Sequence, residues 1–308
     1  MKIPFLIKES HIIYVGVAGG MILLIASFFT GFILFLPTTS KPYPANDPIP
    51  SLKRSNNLAG AFLNPEVDNL NKNINITDSI TETPFFSRKD FQLNSPIFMY
   101  HYIRPLENIS PIDIVGRGLS VSPTNFERQL QEIKERGYNS ITFQDLENYI
   151  EKSSSLPSKP IMLTFDDGYD NAYTTAMPLL QKYNLKASFA IITGFVGRPG
   201  YMSWEQIKDL KKNGFQIVSH SVNHPNLATI SLQKLTYELH QSKSTLDSVL
   251  NQDTKVIVYP SGKYNDQVID LARKEGYILG RTTRYSTSIT PTDLLDLGAV
   301  RMGDESKI

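Results

Sequence analysis

Ile161-Met162-Leu163-Thr164-Phe165-Asp166-Asp167-Gly168 is the stretch on which the fold turns. An uncharged, mostly apolar run that starts at Pro160 reads as a short strand buried on both faces, as in a parallel sheet. It ends on two adjacent carboxylates. Such a pair at the end of a buried strand is costly unless a cation or a proton holds it. An acidic turn ahead of a helix is the plain alternative. An EF-hand loop counted from Asp166 would need Gly at its sixth position and Glu at its twelfth. Asn171 and Met177 stand there instead.

Working outward, apolar runs and helical patterns alternate. Strands are expected at Pro96 to Tyr100, Ser140 to Thr142, Ala187 to Thr193, Phe215 to Ser219, Lys255 to Tyr259 and Tyr277 to Thr282. Between them, Ser122 and Pro123 open a helix with Phe126, Leu130 and Ile133 on one face. Further helices are expected over Phe143 to Lys152, Asn171 to Tyr183 with Pro178 as a kink, Trp204 to Lys212, Ser231 to Leu250 and Asn265 to Lys274. This alternation implies βαβ units, so the expected class is α/β, a distorted or incomplete (β/α) barrel. Chemistry in that architecture sits at the C-terminal ends of the strands. His220 follows one such strand, and His224 follows four residues later. One carboxylate with two neutral imidazoles would give a divalent metal three ligands and leave a position for water.

The chain has 308 residues, 31 basic and 30 acidic side chains, a formal net charge of +1 and no cysteine. Near-neutrality excludes the electrostatic footprint of a general nucleic-acid binder, so no nucleic acid is expected as a partner. Absence of cysteine excludes disulfides, zinc fingers, iron–sulfur clusters and thiol catalysis. Residues 1–11 form a short N-terminal tail. Residues 12–36, Ile12 to Leu36, carry no charged side chain. As a helix this run would cross the ~30 Å hydrocarbon core, and it exceeds the ~7–15 residues of a secretory h-region. It is therefore expected to be an uncleaved transmembrane signal anchor. Lys2 and Lys8 precede it and Lys41, Lys53 and Arg54 follow it, so the short tail rather than the charge count points the C-terminal part outward. The expectation is a single-pass cell-membrane protein with its catalytic domain on the extracytoplasmic side. Residues 37–94, rich in Asn, Pro, Ser and Thr, read as an extended linker, and residues 95–308 as the catalytic domain.

The Thr164-Phe165-Asp166-Asp167-Gly168 and His220-Ser221-Val222-Asn223-His224 runs resemble the first two motifs of the polysaccharide deacetylases, carbohydrate esterase family four. The Pro96-to-His101 start, Tyr259-Pro260-Ser261-Gly262, and Trp204 ahead of a helix resemble the poly-N-acetylglucosamine deacetylase branch. The resemblance covers Ser95 to Gly303. It implies a metal-dependent N-deacetylase acting on an N-acetylglucosamine-containing polysaccharide: poly-N-acetylglucosamine, peptidoglycan or a chitin-like polymer. It implies Asp166 as general base, and Asp167, His220 and His224 as ligands of a divalent metal, zinc first, with cobalt, nickel or manganese as alternatives. The backbone N–H of Ser261 would help hold the oxyanion. Trp204 would wall the sugar site, with Tyr259 and Pro260 beside it. An acetyl-ester or cyclic-amide hydrolase, or an inactive carbohydrate-binding relative, would share the fold. Departures are visible. Val258 stands where many members carry an Arg that orients the base, Ser261 stands where many carry an aromatic residue, and no histidine follows His240. His101 is the expected replacement for the missing general acid.

Overall fold

The computed structural model of the chain describes the backbone of residues 13–17 and 20–24, then residue 88 and residues 90–308 apart from 153. Two compact units divide it, Met1–Ile76 and Thr77–Ile308. In the first, Ile13–Val17 and Gly20–Leu24 pair as an antiparallel hairpin. The sequence reading expected a helix across these ten positions. The β-branched residues Ile13, Val15, Val17 and Ile22 favour strand, and Gly20 opens the second strand opposite Val17. The rest of the expected span, and the linker through residue 87, lie outside the described residues. Among the described residues no helix is long and apolar enough to cross a membrane.

The second unit is built on an all-parallel sheet. Its strands are β1 (Ile97–Tyr100), β2 (Asn139–Ile141), β3 (Pro160–Phe165), β4 (Ser188–Ile191), β5 (Gln216–Ser219), β6 (Val256–Val258), β7 (Leu279–Arg281) and β8 (Val300–Arg301). They run in the order β7-β6-β5-β4-β3-β1-β8, with β2 beside the entry half of β3. Besides the five-residue helix Ile114–Gly118, the helices are α1 (Pro123–Glu135), α2 (Phe143–Lys152), α3 (Met177–Lys182), α4 (Trp204–Lys212), α5 (Leu232–Leu250) and α6 (Asp266–Lys274). Local chemistry sets their starts. Ser122, Ser203, Ser231 and Asn265 accept the first-turn N–H groups of α1, α4, α5 and α6. The expected helix from Asn171 divides at its proline. Ala172–Ala176 is a widened π turn, and Pro178 sits in the first turn of α3, where its missing N–H costs nothing.

Strand parity separates two cores. Phe98, Tyr100, Leu163, Phe165, Phe189 and Ile217 point toward the helices. There Tyr100, Phe165 and Phe189 stack across three adjacent strands, with centroids 5.4 and 4.9 Å apart, and Phe126 of α1 meets Tyr100 edge-on. Phe126, Leu130 and Ile133 are fully buried, each worth roughly 1.5–3 kcal/mol. The alternate residues, among them Ile97, Met99, Met162, Ala190, Val218, Val258, Leu279 and Ala299, form one cluster on the other face. Residues from both ends of the strand order meet there, so the sheet is curled into a half-barrel. The parallel bridge from Arg281 to Leu297 continues it past β7. Sequence reading missed β8 and the small ribbon Tyr102–Ile103 with Ser120–Val121. Both are two-residue elements, too short for periodicity to register.

Candidate active site

The parity of three strands sends three side chains to the inner face at its C-terminal rim. Asp166 follows Met162 and Thr164, His101 follows Ile97 and Met99, and Arg281 follows Leu279. The Asp166 N–H donates to the Tyr100 carbonyl at 2.9 Å, which sets residue 166 beside residue 101. His101 Nε2 lies 3.8 Å from Asp166 Oδ2. The fully buried Arg281 guanidinium donates to Asp166 Oδ1 through one terminal nitrogen and reaches Met99 Sδ at 2.8 Å with the other. Burial would raise the Asp166 pKa. The Arg281 charge, followed by His101 and His220, outweighs it and holds the carboxyl below its ordinary value. Burial lowers the His101 pKa against the pull of Asp166 and Asp167.

Arg281 is the residue that sequence reading missed. Val258 does stand where an orienting arginine was sought, but the neighbouring strand supplies one. The available signal was a lone Arg ending the apolar run Tyr277-Ile278-Leu279-Gly280, on the same parity as Leu279.

Val258 contributes through its backbone. Its carbonyl accepts from His220 Nδ1 at 2.7 Å, so that nitrogen carries the proton and Nε2 is left free to ligate. Asp167 Oδ1 lies 3.2 Å from His220 Nε2 and 3.5 Å from His224 Nε2. Ligand atoms of the three residues all fall within 4.8 Å of one another. One carboxylate and two imidazoles suit a borderline divalent metal, so the set fits the group that the motif implies. Burial opposes ionisation of Asp167, but with no metal bound a protonated His220, with His101 and His224 behind, holds its pKa below the carboxylate range.

The backbone here is strained. Asp167, Ser221 and His224 have φ of 72°, 62° and 56°. Each such position costs of order 1–3 kcal/mol and persists only where its surroundings over-determine it. Those surroundings are visible. His224 N–H donates to Ser221 Oγ at 2.9 Å. On α5 the fully buried Glu238 accepts from Val222 N, Asn223 N and Asn223 Nδ2, each at 2.8 Å. Gly194 N–H donates to the Val222 carbonyl at 2.9 Å, and a Cβ at Gly194 would stand 2.6 Å from that same oxygen. Only glycine allows this approach.

The remaining expected residues are more scattered. Ser261 lies in the turn after β6, exposed, with φ 53°. Trp204 opens α4, half-buried against the helix-side core. Pro260 is buried in the Ser261 turn. Tyr259 does not face a substrate: it is fully buried, stacked on Tyr264, with its hydroxyl donating to the Leu295 carbonyl at 2.9 Å.

Paired carboxylates stand at the rim of a parallel half-barrel, one held by arginine and one between two histidines in a set that could hold a divalent metal. Residues 153–279 match the polysaccharide deacetylase family. The chain is 30% identical over 207 residues to YxkH of Bacillus subtilis (strain 168), which carries the polysaccharide deacetylase name; the match covers 67% of this chain and 71% of that one. It is 27% identical to the poly-beta-1,6-N-acetyl-D-glucosamine N-deacetylase of Staphylococcus aureus (strain MSSA476), over 63% of this chain and 68% of the relative. Among solved structures it is similar to the Streptococcus pyogenes deacetylase PplD in complex with acetate, with TM-score 0.64, 35% identity, and coverage of 69% of this chain and 93% of that one. It is also similar to IcaB from Ammonifex degensii, with TM-score 0.60, 26% identity, and coverage of 68% and 91%. The chain belongs to the polysaccharide deacetylase family, the hydrolases of carbohydrate esterase family four.

Proposed function

We propose that this chain removes N-acetyl groups from an N-acetylglucosamine-containing polysaccharide outside the cell membrane, by metal-assisted hydrolysis of the acetamide. The observation that carries this reading is the division between adjacent carboxylates: Asp166 on Arg281 beside His101, and Asp167 between His220 and His224. A divalent cation held by Asp167, His220 and His224, zinc foremost, would supply Lewis-acid polarisation of the acetamide carbonyl.

Asp166 accepts the proton of the attacking water at a carboxylate oxygen. Arg281 keeps that carboxylate ionised and aimed. The proton then passes to His101, whose Nε2 lies 3.8 Å from Asp166 Oδ2. His101 delivers it to the leaving nitrogen. The Ser261 N–H supports the developing oxyanion, and Trp204 and Pro260 border the sugar. Attachment to the membrane through residues 12–36 rests on the charge-free apolar run in the sequence.

The test is acetate release by the full chain from poly-β-1,6-N-acetylglucosamine, chitopentaose, peptidoglycan strands and acetylated xylan. Expected are release from N-acetyl polymers, loss with a chelator and recovery with zinc or cobalt. Asp166→Asn should keep its metal and lose turnover, whereas His220→Ala should lose both. Chelator-insensitive release, or preference for the xylan ester, would overturn the reading.

A further inference from the structure

A continuous aromatic wall stands beside Asp167 and ends in an arginine on each side. Tyr102 and Tyr169 stack with centroids 3.7 Å apart. Tyr201 lies 5.2 Å from Tyr169, and Phe195 meets Tyr201 at 5.2 Å. Arg104 covers the Tyr102 ring at 3.6 Å, and Arg198 lies over Phe195 at 4.3 Å. The wall is fixed to the site by backbone: Tyr169 and Tyr201 form an antiparallel bridge, and Met202 N–H donates to the Gly168 carbonyl at 2.9 Å. Gly168 is the residue next to Asp167, so the wall borders the place where chemistry occurs.

The two arginines lack the usual structural reason to be there. Among the described residues, arginine ion pairs involve Arg128, Arg273, Arg281 and Arg284, and neither Arg104 nor Arg198 has a carboxylate within 4.0 Å. The carboxylates that act on Tyr102, Asp167 and Asp113, are engaged elsewhere. Asp167 lies between the histidines, and Asp113 accepts from Gly116 N–H. Arg104 spends only its Nε, on Ser120 Oγ at 3.0 Å, which leaves both terminal nitrogens. A guanidinium laid flat on an aromatic face is pre-organised, loses little entropy on binding, and presents a planar fork matched to carboxylate or phosphate. Tyr102 is covered on both faces, by Arg104 and Tyr169, so the wall offers its charged ends and hydroxyls rather than a bare stacking surface.

We propose that Arg104 and Arg198 form an anion-binding edge of the substrate cleft, selecting an N-acetylglucosamine polymer that bears a carboxylate or phosphate beside the sugar being deacetylated. This rests on the deacetylase reading and narrows its substrate class. An uncharged polymer would leave both forks hydrated and unused.

The test compares zinc-loaded full chain on four oligosaccharides. These are chitopentaose, chitopentaose phosphorylated at O6, a tetrasaccharide alternating N-acetylglucosamine with N-acetylmuramic acid, and the same tetrasaccharide with its lactyl carboxyl amidated. Expected is a kcat/KM advantage of about tenfold for a charged sugar over its uncharged counterpart, the scale of one charge-assisted pair. The pair of substrates that shows it separates carboxylate from phosphate. The advantage should shrink with added salt and should fall, through KM, in Arg104→Gln and Arg198→Gln, with Arg104→Lys between. The exposed Arg136→Gln serves as control. Equal rates on charged and uncharged partners, or equal losses on both in the variants, would overturn the proposal. If no oligosaccharide releases acetate, the deacetylase reading fails. Calorimetric binding of the same four then decides the arginines' role by whether charge tightens binding and Arg104→Gln removes the gain.

Discussion

Replacing Glu238 with alanine should loosen the metal site from behind. Glu238 is fully buried on α5 and accepts three N–H groups from the turn between His220 and His224. Asn223 is exposed, and water can replace what its groups lose; Val222 is buried, and its N–H would be left without a partner. One orphaned buried donor plus the lost charge-assisted bonds amounts to about 2–4 kcal/mol, offset in part because the carboxylate itself no longer has to be buried. For a domain of this size, that is a fall in Tm of roughly 5–15 °C. Loss of the groups that orient metal ligands typically lowers metal affinity by about 10–100-fold. Glu238→Gln keeps an oxygen for the two backbone N–H groups, and a flip of the Asn223 amide meets its new NH2, so it should stay near wild type in both. Calorimetric melting with and without zinc measures stability, and competition against a chromophoric chelator measures affinity. If Glu238→Ala melts early but binds zinc within about twofold of wild type, Glu238 is only a clamp between helix and loop, and the positioning argument is wrong.

Arg281→Met leaves Asp166 buried without its counter-charge and should cost about 3–5 kcal/mol by chemical denaturation. Adding Asp166→Asn should restore most of that stability while turnover stays lost; an additive double variant would contradict a buried pair. His101→Ala should lower turnover by about 100- to 10,000-fold with metal content unchanged by elemental analysis. A loss under threefold would make His101 structural. Asp304 accepts from Ser122 N, Ser122 Oγ and Asn125 Nδ2, tying the C-terminal segment to the start of α1. Burial would raise its pKa, but those bonds and Arg128 hold it below the ordinary 3.8. Such a depressed carboxyl stabilises the fold above its unfolded pKa, and the contribution is lost as pH falls through the folded value. The Tm gap between wild type and Asp304→Ala should therefore be widest near neutrality and close below pH 3.8; a gap that is constant with pH would rule the linkage out.

The order of strands and helices, the helix starts and the placing of Asp166-Asp167 and His220 at strand ends were legible in the chain because each depends on residues close in sequence. Ser122, Ser231 and Asn265 cap their own first turns, and Asp166-Asp167 and His220 simply end the strands that carry them. Even the side each rim residue faces follows from counting by twos along its strand. What joins those strand ends does not. Arg281 and Asp166 are 115 positions apart, and only the curl of the sheet brings β7 over β3. A motif aligned on one strand therefore sought the arginine at Val258 and overlooked the next strand. Nothing in the sequence of α5 singles out Glu238; its role comes from the packing of α5 on the histidine turn. Tyr259 looked available beside Pro260 until Leu295 and Tyr264 closed over it. Local pattern is set by backbone sterics and solvent exposure along one segment. Ion pairs and burial arise between segments, and so they belong to the tertiary structure alone.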